Sequence, residues 1–280
     1  MKVIETVSEM KSYAAEQRDA GRGIGLVPTM GYFHEGHLSL MRRSAADNDI
    51  TIVSLFVNPA QFGANEDLGA YPRDMDRDVR MAAEAGADIM FAPNISDVYP
   101  DGYKTYIRVD DWSDLLCGAS RPVHFRGVTT VCCKLFNICR PRRAYFGLKD
   151  AQQCIIIQKM VADLNMNVEI VPMPLVREAD GLAMSSRNVY LTADERRDAP
   201  RISEALRMAA DRVAAGFTGA AALRDLIRDH IIASPHARID YVETVDTKTL
   251  GPADQIVPGT LIAAAVHFGK ARLIDNIIIQ

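Results

Sequence analysis

The 280-residue chain has few of the features that mark disulfide-stabilised, secreted or membrane proteins. Its five cysteines form no C-x-x-C pair, and the odd number suits reduced thiols in a cytosol better than a disulfide framework. No apolar run reaches about 18 residues, the length that a membrane-spanning helix needs. The start, "MKVIETVSEMKSY", lacks the apolar core of a signal peptide. We therefore expect a cytoplasmic protein with no membrane partner.

Charge and missing motifs exclude further classes of protein. A net charge of −4 gives no electrostatic reason to expect a nucleic acid partner. No G-x-G-x-x-G follows the first predicted strand, which argues against a Rossmann dehydrogenase. No G-x-S-x-G elbow is present for a Ser–His hydrolase. With 48% hydrophobic residues, the chain can still bury a sizeable core, in one large or two moderate domains.

What the chain does have is an alternation of strand and helix patterns up to residue 174. Thr6 and Glu9 form a possible capping box for a first helix, which Gly21 would end. The apolar run "ITIVSLFV" is typical of a strand covered on both faces. The pattern predicts strands at 23–28, 50–57, 87–93, 143–147 and 168–173, and helices at 36–47, 73–85, 128–139 and 151–164. The alternation predicts an α/β fold, a Rossmann-like doubly wound parallel sheet, for residues 1–174.

The remaining residues, 175–280, show helices followed by consecutive strands. Thr192 and Glu195 form a second capping box before a long helix, and a further apolar stripe runs from Leu223 to Ile231. The strand patterns are "ARIDYVETVD", "GTLIAAAVHFG" and "ARLIDNIII", with "FGKA" as a hairpin turn. This order predicts a smaller C-terminal α+β domain, separated from the first in the proline-containing stretch "VPMPLVREADG".

Two of the six histidines stand together in "PTMGYFHEGHLSL", residues 28–40. His34 and His37 lie at the end of a strand and the beginning of a helix, where backbone N–H groups and the helix dipole favour an anion. Gly31 and Gly36 allow a ligand to approach the backbone closely. Zinc ligation would need a nearby cysteine or histidine cluster, which is absent from the sequence. A purely structural pair remains an alternative, but the placement favours phosphate handling.

Seven blocks in order resemble one family. They are "PTMGYFHEGHLSL", "SLFVNPAQF", "YPRDMDRD", "MFAPNISDVYPDG", "RPVHFRGVTTV", "FGLKDAQQ" and "VREADGLAMSSRN". The H-x-G-H element resembles the signature of the nucleotidyltransferase superfamily, and the seven blocks together closely resemble the pantothenate synthetase (pantoate–β-alanine ligase) family. Leu148 and Ala151 depart from the acidic and aromatic residues that many members have at these positions.

The resemblance implies an ATP-dependent ligase of coenzyme A biosynthesis. Such enzymes activate D-pantoate as a pantoyl adenylate, releasing pyrophosphate with the help of Mg²⁺, and β-alanine then displaces AMP to give pantothenate. A carboxylate that must meet polyanionic ATP needs positioning and positive charge more than covalent catalysis. The resemblance also implies a cytoplasmic homodimer whose partners are small substrates, with Mg²⁺ bound through ATP phosphates and its protein ligands unknown.

The same resemblance assigns residues to ATP. It implies catalytic roles for His37, His34, Lys149 and Arg187. The stretch "MSSR" is similar to the mobile phosphate loop of the related synthetases. The implied ATP contacts are Met30, Gly31, Tyr32, Phe33, His34, Glu35, Gly36, His37, Gly147, Leu148, Lys149, Asp150, Val176, Met184, Ser185, Ser186 and Arg187.

The acid and amine substrates are assigned in the same way. Gln61 and Gln153 correspond to the family's paired glutamines, whose amides can donate to a carboxylate and accept from hydroxyls. Asn58 and Tyr71 are their expected neighbours at pantoate, and Gln61 is also expected to meet β-alanine. Met160 and Met166 are interpreted as core or linker residues, and His124 and Arg126 receive no role.

Two other functions remain open from the sequence. One is a nucleotidyltransferase that adenylates a small phosphate-bearing acceptor; it would share H-x-G-H but have no use for the two glutamines. The other is a non-catalytic nucleotide sensor, which would bind ATP without turnover. Read alone, each glutamine is more often a surface amide, and "SSRN" is more often an ordinary loop.

Overall fold

The computed structural model describes residues 1–64 and 66–280. Within them the strands form a six-stranded and a three-stranded sheet. The strands are β1 (Lys2–Ile4), β2 (Ile24–Thr29), β3 (Ile50–Leu55), β4 (Ile89–Phe91), β5 (Arg143–Gly147), β6 (Glu169–Met173), β7 (Ala237–Asp246), β8 (Thr260–Phe268) and β9 (Ala271–Ile278).

Helices connect most of these strands, and none in the described part of the chain is both long and apolar enough to cross a membrane. They are α1 (Val7–Asp19), α2 (Glu35–Asp47), α3 (Met75–Glu84), α4 (Ile95–Val98), α5 (Cys117–Ser120), α6 (His124–Cys139), α7 (Ala151–Asp163), α8 (Ala193–Asp198), α9 (Arg201–Ala214) and α10 (Ala220–Ile232).

The six-stranded sheet is wholly parallel, in the order β1-β4-β3-β2-β5-β6. From β2 the chain runs through α2 to β3 on one side, and from β5 through α7 to β6 on the other. The direction of winding therefore reverses between β2 and β5. In an open α/β sheet, a crevice forms at the carboxyl ends of the strands at such a switch point. The predicted doubly wound α/β fold is confirmed.

Both faces of this sheet are covered, as the continuous apolar run of β3 predicts. Ile52 packs with Phe91 and Phe136 in one hydrophobic cluster, whereas the neighbouring Val53 packs with Met90 in another. Successive side chains of a strand point to opposite faces, so a strand between two layers needs an apolar residue at every position. This burial holds the carboxyl ends of β2, β3 and β5 in a rigid frame.

The three-stranded sheet is antiparallel, in the order β7-β8-β9, and its β8–β9 hairpin turns between Phe268 and Ala271 as predicted. Its residues Val245, Leu261 and Ala263 belong to the same hydrophobic cluster as the parallel sheet. The C-terminal sheet thus packs directly against the first part of the chain. The division at residue 174 stays a prediction.

Some local predictions are corrected. The strand β1 was not predicted; it pairs in parallel with β4, with Lys2 beside Ile89. The single long helix expected after Thr192 is wrong, since a turn around Pro200 separates α8 from α9. Proline has no N–H to donate and its ring crowds the preceding turn, so it interrupts a continuous helix.

Both predicted N-terminal caps bind their helices. The Thr192 Oγ1 accepts from the N–H of Glu195, and the Glu195 carboxylate accepts from the N–H of Thr192 at 2.9 Å, which completes that capping box. The Thr6 hydroxyl accepts from the N–H of Glu9 at 3.2 Å, but the Glu9 carboxylate pairs with Lys2, so the capping box predicted there is only half formed. Caps of this kind depend on local sequence alone, which is why they were predictable.

Candidate active site

A cavity of about 250 Å³ lies at the switch point. It opens beyond the carboxyl ends of β2 and β5 and is bounded on the far side by β9 and the "MSSR" stretch. Most of the sequence-predicted site residues meet there. Those that line it are Met30, His34, Gly36, His37, Asn58, Gln61, Tyr71, Gly147, Lys149, Asp150, Gln153, Val176, Met184, Ser185, Ser186 and Arg187.

Five predicted ATP residues do not line this cavity: Gly31, Tyr32, Phe33, Glu35 and Leu148. Phe33 is fully buried and its ring packs against that of His37, with centroids 5.5 Å apart. Glu35 points to the surface, where it forms an ion pair with Arg42. These residues shape or flank the turn, and their contact with ATP stays a prediction.

The turn after β2 has an unusual backbone that a buried carboxylate holds in place. Gly31 and Tyr32 both have positive φ angles, 89° and 54°. The carboxylate of Asp78, in α3, accepts from the N–H of Tyr32 at 2.6 Å and of Phe33 at 2.8 Å. A Cβ on Gly31 would lie 3.0 Å from Asp78 Oδ2. Asp78 is thus a functional residue that the sequence analysis missed, although it lies within the quoted block "YPRDMDRD".

His34 and His37 face each other at the beginning of α2, with ring centroids 4.1 Å apart. The Nδ1 of His37 accepts from the backbone N–H of His34 at 3.4 Å, so its neutral ring carries the proton on Nε2. Burial lowers the pKa of His34 to about 4 and that of His37 well below its usual value. Each ring is therefore neutral at pH 7 and offers an N–H donor without a full charge.

Gly36 lets the two rings share this space. A Cβ at residue 36 would lie 2.9 Å from the Cε1 of His34, closer than real side chains come. Any larger residue would push the His34 ring out of its position beside His37. The glycine of H-x-G-H is thus explained by close approach of a side chain, not by an unusual φ angle.

Lys149 supplies positive charge from the end of β5. It lies in a short 3-10 turn over Leu148–Asp150, where its Nζ is 3.8 Å from the Asp150 carboxylate. Its charge also contributes to the low pKa values of both histidines, after burial. Ala151 is buried and Leu148 packs against the main core cluster, so the two residues that depart from the family pattern fill packing positions here.

The "MSSR" stretch is tied to the opposite wall of the cavity. The Ser186 hydroxyl donates to the carbonyl of Tyr32 at 3.2 Å. The Arg187 guanidinium forms two hydrogen bonds to the carboxylate of Asp67 and lies over the Tyr71 ring, 5.7 Å from its centroid. Asp67 is a second residue that the sequence analysis missed. The predicted phosphate-binding arginine is thus paired with a carboxylate in this structure.

Two amide side chains, Gln61 and Asn58, bond to each other on the cavity wall. The Oε1 of Gln61 accepts from Asn58 at 3.0 Å, and its Nε2 contacts the sulfur of Met30 at 3.1 Å. Asn58 also donates to the carbonyl of Gly127 and accepts from Tyr99. Asn58 is thus fully engaged within the protein and holds Gln61 toward the cavity.

Gly127 explains how this arrangement packs. A Cβ at that position would lie 2.3 Å from the carbonyl oxygen of Ala60 and 2.4 Å from the N of Gln61. Helix α6 therefore touches the backbone that carries Gln61. His124, one turn earlier, bonds the Gln61 carbonyl through Nδ1 at 3.2 Å. A carbonyl only accepts, so Nδ1 carries the proton; burial lowers the pKa of His124 to about 3.

Gln153 and its neighbour Gln152 have different surroundings. The Gln152 amide accepts from the N–H of Cys117 at 3.0 Å and donates to the carbonyl of Leu115 at 2.6 Å, and is thereby used to hold a loop. Gln153 is half-buried and lies on the cavity wall. Gln152 lines the same cavity, but its amide is engaged within the protein. The contact of Gln153 with pantoate stays a prediction.

Comparison with known proteins identifies one family. The family model described as pantoate–β-alanine ligase matches residues 2–278. The chain is 56% identical to the pantothenate synthetase of Acetivibrio thermocellus over 280 residues, all of both chains. It is 52% identical to that of Moorella thermoacetica, covering all of this chain and 99% of the other.

Solved structures show the same fold. The pantothenate synthetase of Thermus thermophilus superimposes with a TM-score of 0.94 at 42% identity, covering 99% of each chain. The pantoate–β-alanine ligase of Francisella tularensis, complexed with beta-gamma ATP and β-alanine, gives a TM-score of 0.83 at 33% identity, covering 99% of this chain and 97% of the other. The chain belongs to the pantoate–β-alanine ligase family, whose model matches residues 2–278.

Proposed function

We propose that the protein condenses D-pantoate with β-alanine at the expense of ATP, giving pantothenate, AMP and pyrophosphate. Family membership over the whole chain supports this reaction, as does the complex of the Francisella tularensis relative with beta-gamma ATP and β-alanine. One structural observation carries the proposal. The H-x-G-H turn, the Lys149 turn, the "MSSR" stretch and both glutamines line a single cavity.

In the first step, a pantoate carboxylate oxygen attacks the α-phosphorus of ATP. The new O–P bond forms as the bond from that phosphorus to the bridging oxygen breaks, and pyrophosphate leaves. Charge grows on the phosphate oxygens. The N–H groups of His34 and His37 and the Lys149 ammonium, which line the cavity, are proposed to stabilise it. The triphosphate itself raises the pKa of both imidazoles, because a nearby negative charge favours their protonated form.

Further ATP contacts come from the two flanking stretches. Ser185 offers a hydroxyl donor, and Ser186 offers one once it leaves the Tyr32 carbonyl. Arg187 offers a planar cation that suits phosphate oxygens once it leaves Asp67. Asp150 is the proposed ribose contact. The carbonyl of Val176 accepts from the N–H of Met184, so the amide N–H of Val176 is the backbone group proposed for adenine.

Pantoate is proposed to lie between Gln61 and Gln153, with Tyr71 nearby. In the second step, the amine nitrogen of β-alanine attacks the acyl carbon. The C–N bond forms, the bond to the AMP oxygen breaks, and the amine proton passes to solvent. Gln61 is proposed to contact this amine substrate as well, because its buried amide is held at the same end of the cavity.

Mg²⁺ is proposed to bind with the ATP phosphates. Within residues 1–64 and 66–280, no group of three or more His, Cys, Asp or Glu side chains is arranged to hold a metal ion. Its ligands are therefore proposed to be mainly phosphate and water oxygens. When bound, the ion would neutralise phosphate charge.

Family resemblance also supports a homodimer in the cytoplasm and a smaller domain beginning near residue 175. Sedimentation of the purified protein at several concentrations tests the dimer. Limited proteolysis with mass spectrometry of the fragments tests the domain boundary, since cleavage would concentrate near residues 171–181.

The decisive experiment is product analysis after incubation with ATP, Mg²⁺, pantoate and β-alanine. Mass spectrometry should detect pantothenate and AMP in equal amounts. Exchange of labelled pyrophosphate into ATP should require pantoate but not β-alanine, because the adenylate forms before the amine enters. Exchange without pantoate, or a dinucleotide product, would refute the proposal.

A further inference from the structure

The last strand of the chain, β9, makes contacts that link the two stretches proposed to bind phosphate. Asp275 and Asn276 are adjacent on this strand, and both line the cavity. Successive side chains of a strand point to opposite sides, so neighbouring residues can hold two different segments. Neither residue belongs to the blocks that carry the family resemblance.

Asn276 holds the turn that carries Lys149. Its side-chain Nδ2 donates to the carbonyl of Leu148 at 2.9 Å and to the carbonyl of Lys149 at 2.9 Å. The two hydrogens of one amide group therefore fasten two successive peptides at the end of β5. This is a strong geometric constraint, because the bonded carbonyls flank the Cα from which the Lys149 side chain leaves the backbone.

Asp275 anchors the arm that leads to the "MSSR" stretch. Its buried carboxylate takes two hydrogen bonds from Arg177, at 2.6 and 3.0 Å. Arg177 pairs with Ala183 in an antiparallel bridge and donates to the carbonyl of Gly181. One short piece of β9 thus supports both proposed phosphate-binding segments.

We infer that Asn276 is a positioning residue for Lys149: it holds the lysine where its ammonium meets the triphosphate, without touching the nucleotide itself. The inference rests on the proposed role of Lys149 in ATP binding. Aspartate has the shape of asparagine but no donor, so Asn276→Asp places a carboxylate against two carbonyl oxygens. The turn should then move away from β9 and carry Lys149 with it.

The test is a double-mutant cycle measured by equilibrium titration of ATP. Asn276→Asp should raise the Kd for ATP about tenfold, which is the size of effect expected when the two hydrogen bonds that hold the Lys149 turn are lost. Lys149→Met should raise it at least as much. If Asn276 acts through Lys149, the double variant should bind ATP no more weakly than Lys149→Met alone, because interacting residues are not additive.

A matched control separates positioning from general stability. Ile277→Val is a mild core change on the same strand, at a residue that packs in the C-terminal hydrophobic cluster and does not line the cavity. It should lower Tm slightly and leave the Kd for ATP unchanged. Asn276→Asp should change the Kd for ATP far more than the KM for pantoate, a selectivity that a merely structural role would not produce.

The outcomes are distinct. If Lys149→Met leaves ATP binding unchanged, the proposed role of Lys149 fails. If Lys149→Met weakens binding but Asn276→Asp does not, or if the two effects add in full, the positioning role of Asn276 is overturned. Asn276→Ala, which removes the amide without adding a charge, should give a smaller effect of the same kind; unchanged binding in both Asn276 variants also overturns it.

Discussion

Arg187 and Asp67 lie 120 positions apart yet form a two-point ion pair, with Nε to Oδ2 at 2.9 Å and Nη2 to Oδ1 at 3.0 Å. Burial works against the charged form of Asp67, but the hydrogen bonds and the positive charge of Arg187, with smaller contributions from the backbone and Arg121, together lower the pKa of this carboxyl. The carboxylate occupies the Nε and Nη2 edge of the guanidinium and neutralises its charge. Asp67 and a phosphate group therefore compete for Arg187.

This competition leads to the first prediction. Asp67→Asn should lower the KM for ATP, since Arg187 no longer has to leave a carboxylate. A partly exposed pair contributes up to about 1 kcal/mol, which corresponds to a decrease of about fivefold. Steady-state kinetics at saturating pantoate and β-alanine would measure it. Asp180→Asn, which weakens the comparable pair with Arg196, is the control and should leave the KM unchanged. An increased KM in Asp67→Asn would contradict the competition.

The second prediction concerns the imidazole pair. His37→Ala should slow pantoyl adenylate formation by about 10²–10³-fold, the cost of removing one preorganised donor from a developing charge. Single-turnover quenching with labelled ATP isolates this step. His236, an exposed residue paired with Asp198, provides the control variant His236→Ala. Adenylation within twofold of the unmodified protein would show that His37 has no part in the chemistry.

A third prediction separates the acid from the nucleotide. Gln153→Ala should raise the KM for pantoate by about tenfold, the worth of one or two hydrogen bonds to a charged group, with little change in the KM for ATP. Gln158, an exposed residue on the same helix, gives a matched control in Gln158→Ala. The assignment of Gln153 fails if only the ATP dependence changes.

The fourth prediction uses the buried His124. Its pKa in the folded protein is about 3, below the usual value of about 6.5 in an unfolded chain. The unfolded chain therefore binds a proton that the folded protein does not, between these two pH values. The contribution of neutral His124 to the free energy of unfolding is fully present above about pH 6.5 and is lost as the pH falls toward 3.

His124→Gln should remove this dependence. The free energy of unfolding of the unmodified protein should fall by about 1.4 kcal/mol more per pH unit than that of the variant, between about pH 6 and pH 4. Urea titrations at several pH values measure both slopes. The variant is expected to be less stable at pH 7, so the test compares how steeply the free energy of unfolding changes with pH in each protein, and not its value at one pH. Equal slopes would mean that the pKa of His124 is the same in the folded and the unfolded protein.

Much of the site was predictable because its chemistry coincides with local signals. The strand end at Thr29, the glycines around His34 and the helix that begins at Glu35 all follow from neighbouring residues. The turn at the end of β5 follows in the same way. Parallel strands then bring these two turns to one edge of the sheet, so the meeting of His34 and Lys149 needs only the predicted fold.

The supporting residues could not be predicted on the same grounds. Asp78 bonds a turn that lies 46 residues away, and Asn276 bonds one 128 residues away. Carboxylates and amides are common in loops, and nothing in the residues around Asp67 or Asn276 distinguishes them from solvated side chains. The interruption at Pro200 is different, since its cause is a proline that is visible in the local sequence.

Local patterns of apolar spacing, caps and glycines were enough to indicate the element order, the parallel sheet and the edge where nucleotide chemistry belongs, because each depends on interactions within a few residues. Folding alone decided which carboxylates restrain the turn at Tyr32 and the guanidinium of Arg187, and which amide fastens Lys149. Those bonds join distant segments, and their partners are selected by how helices, loops and sheets pack together, which no short stretch of sequence encodes.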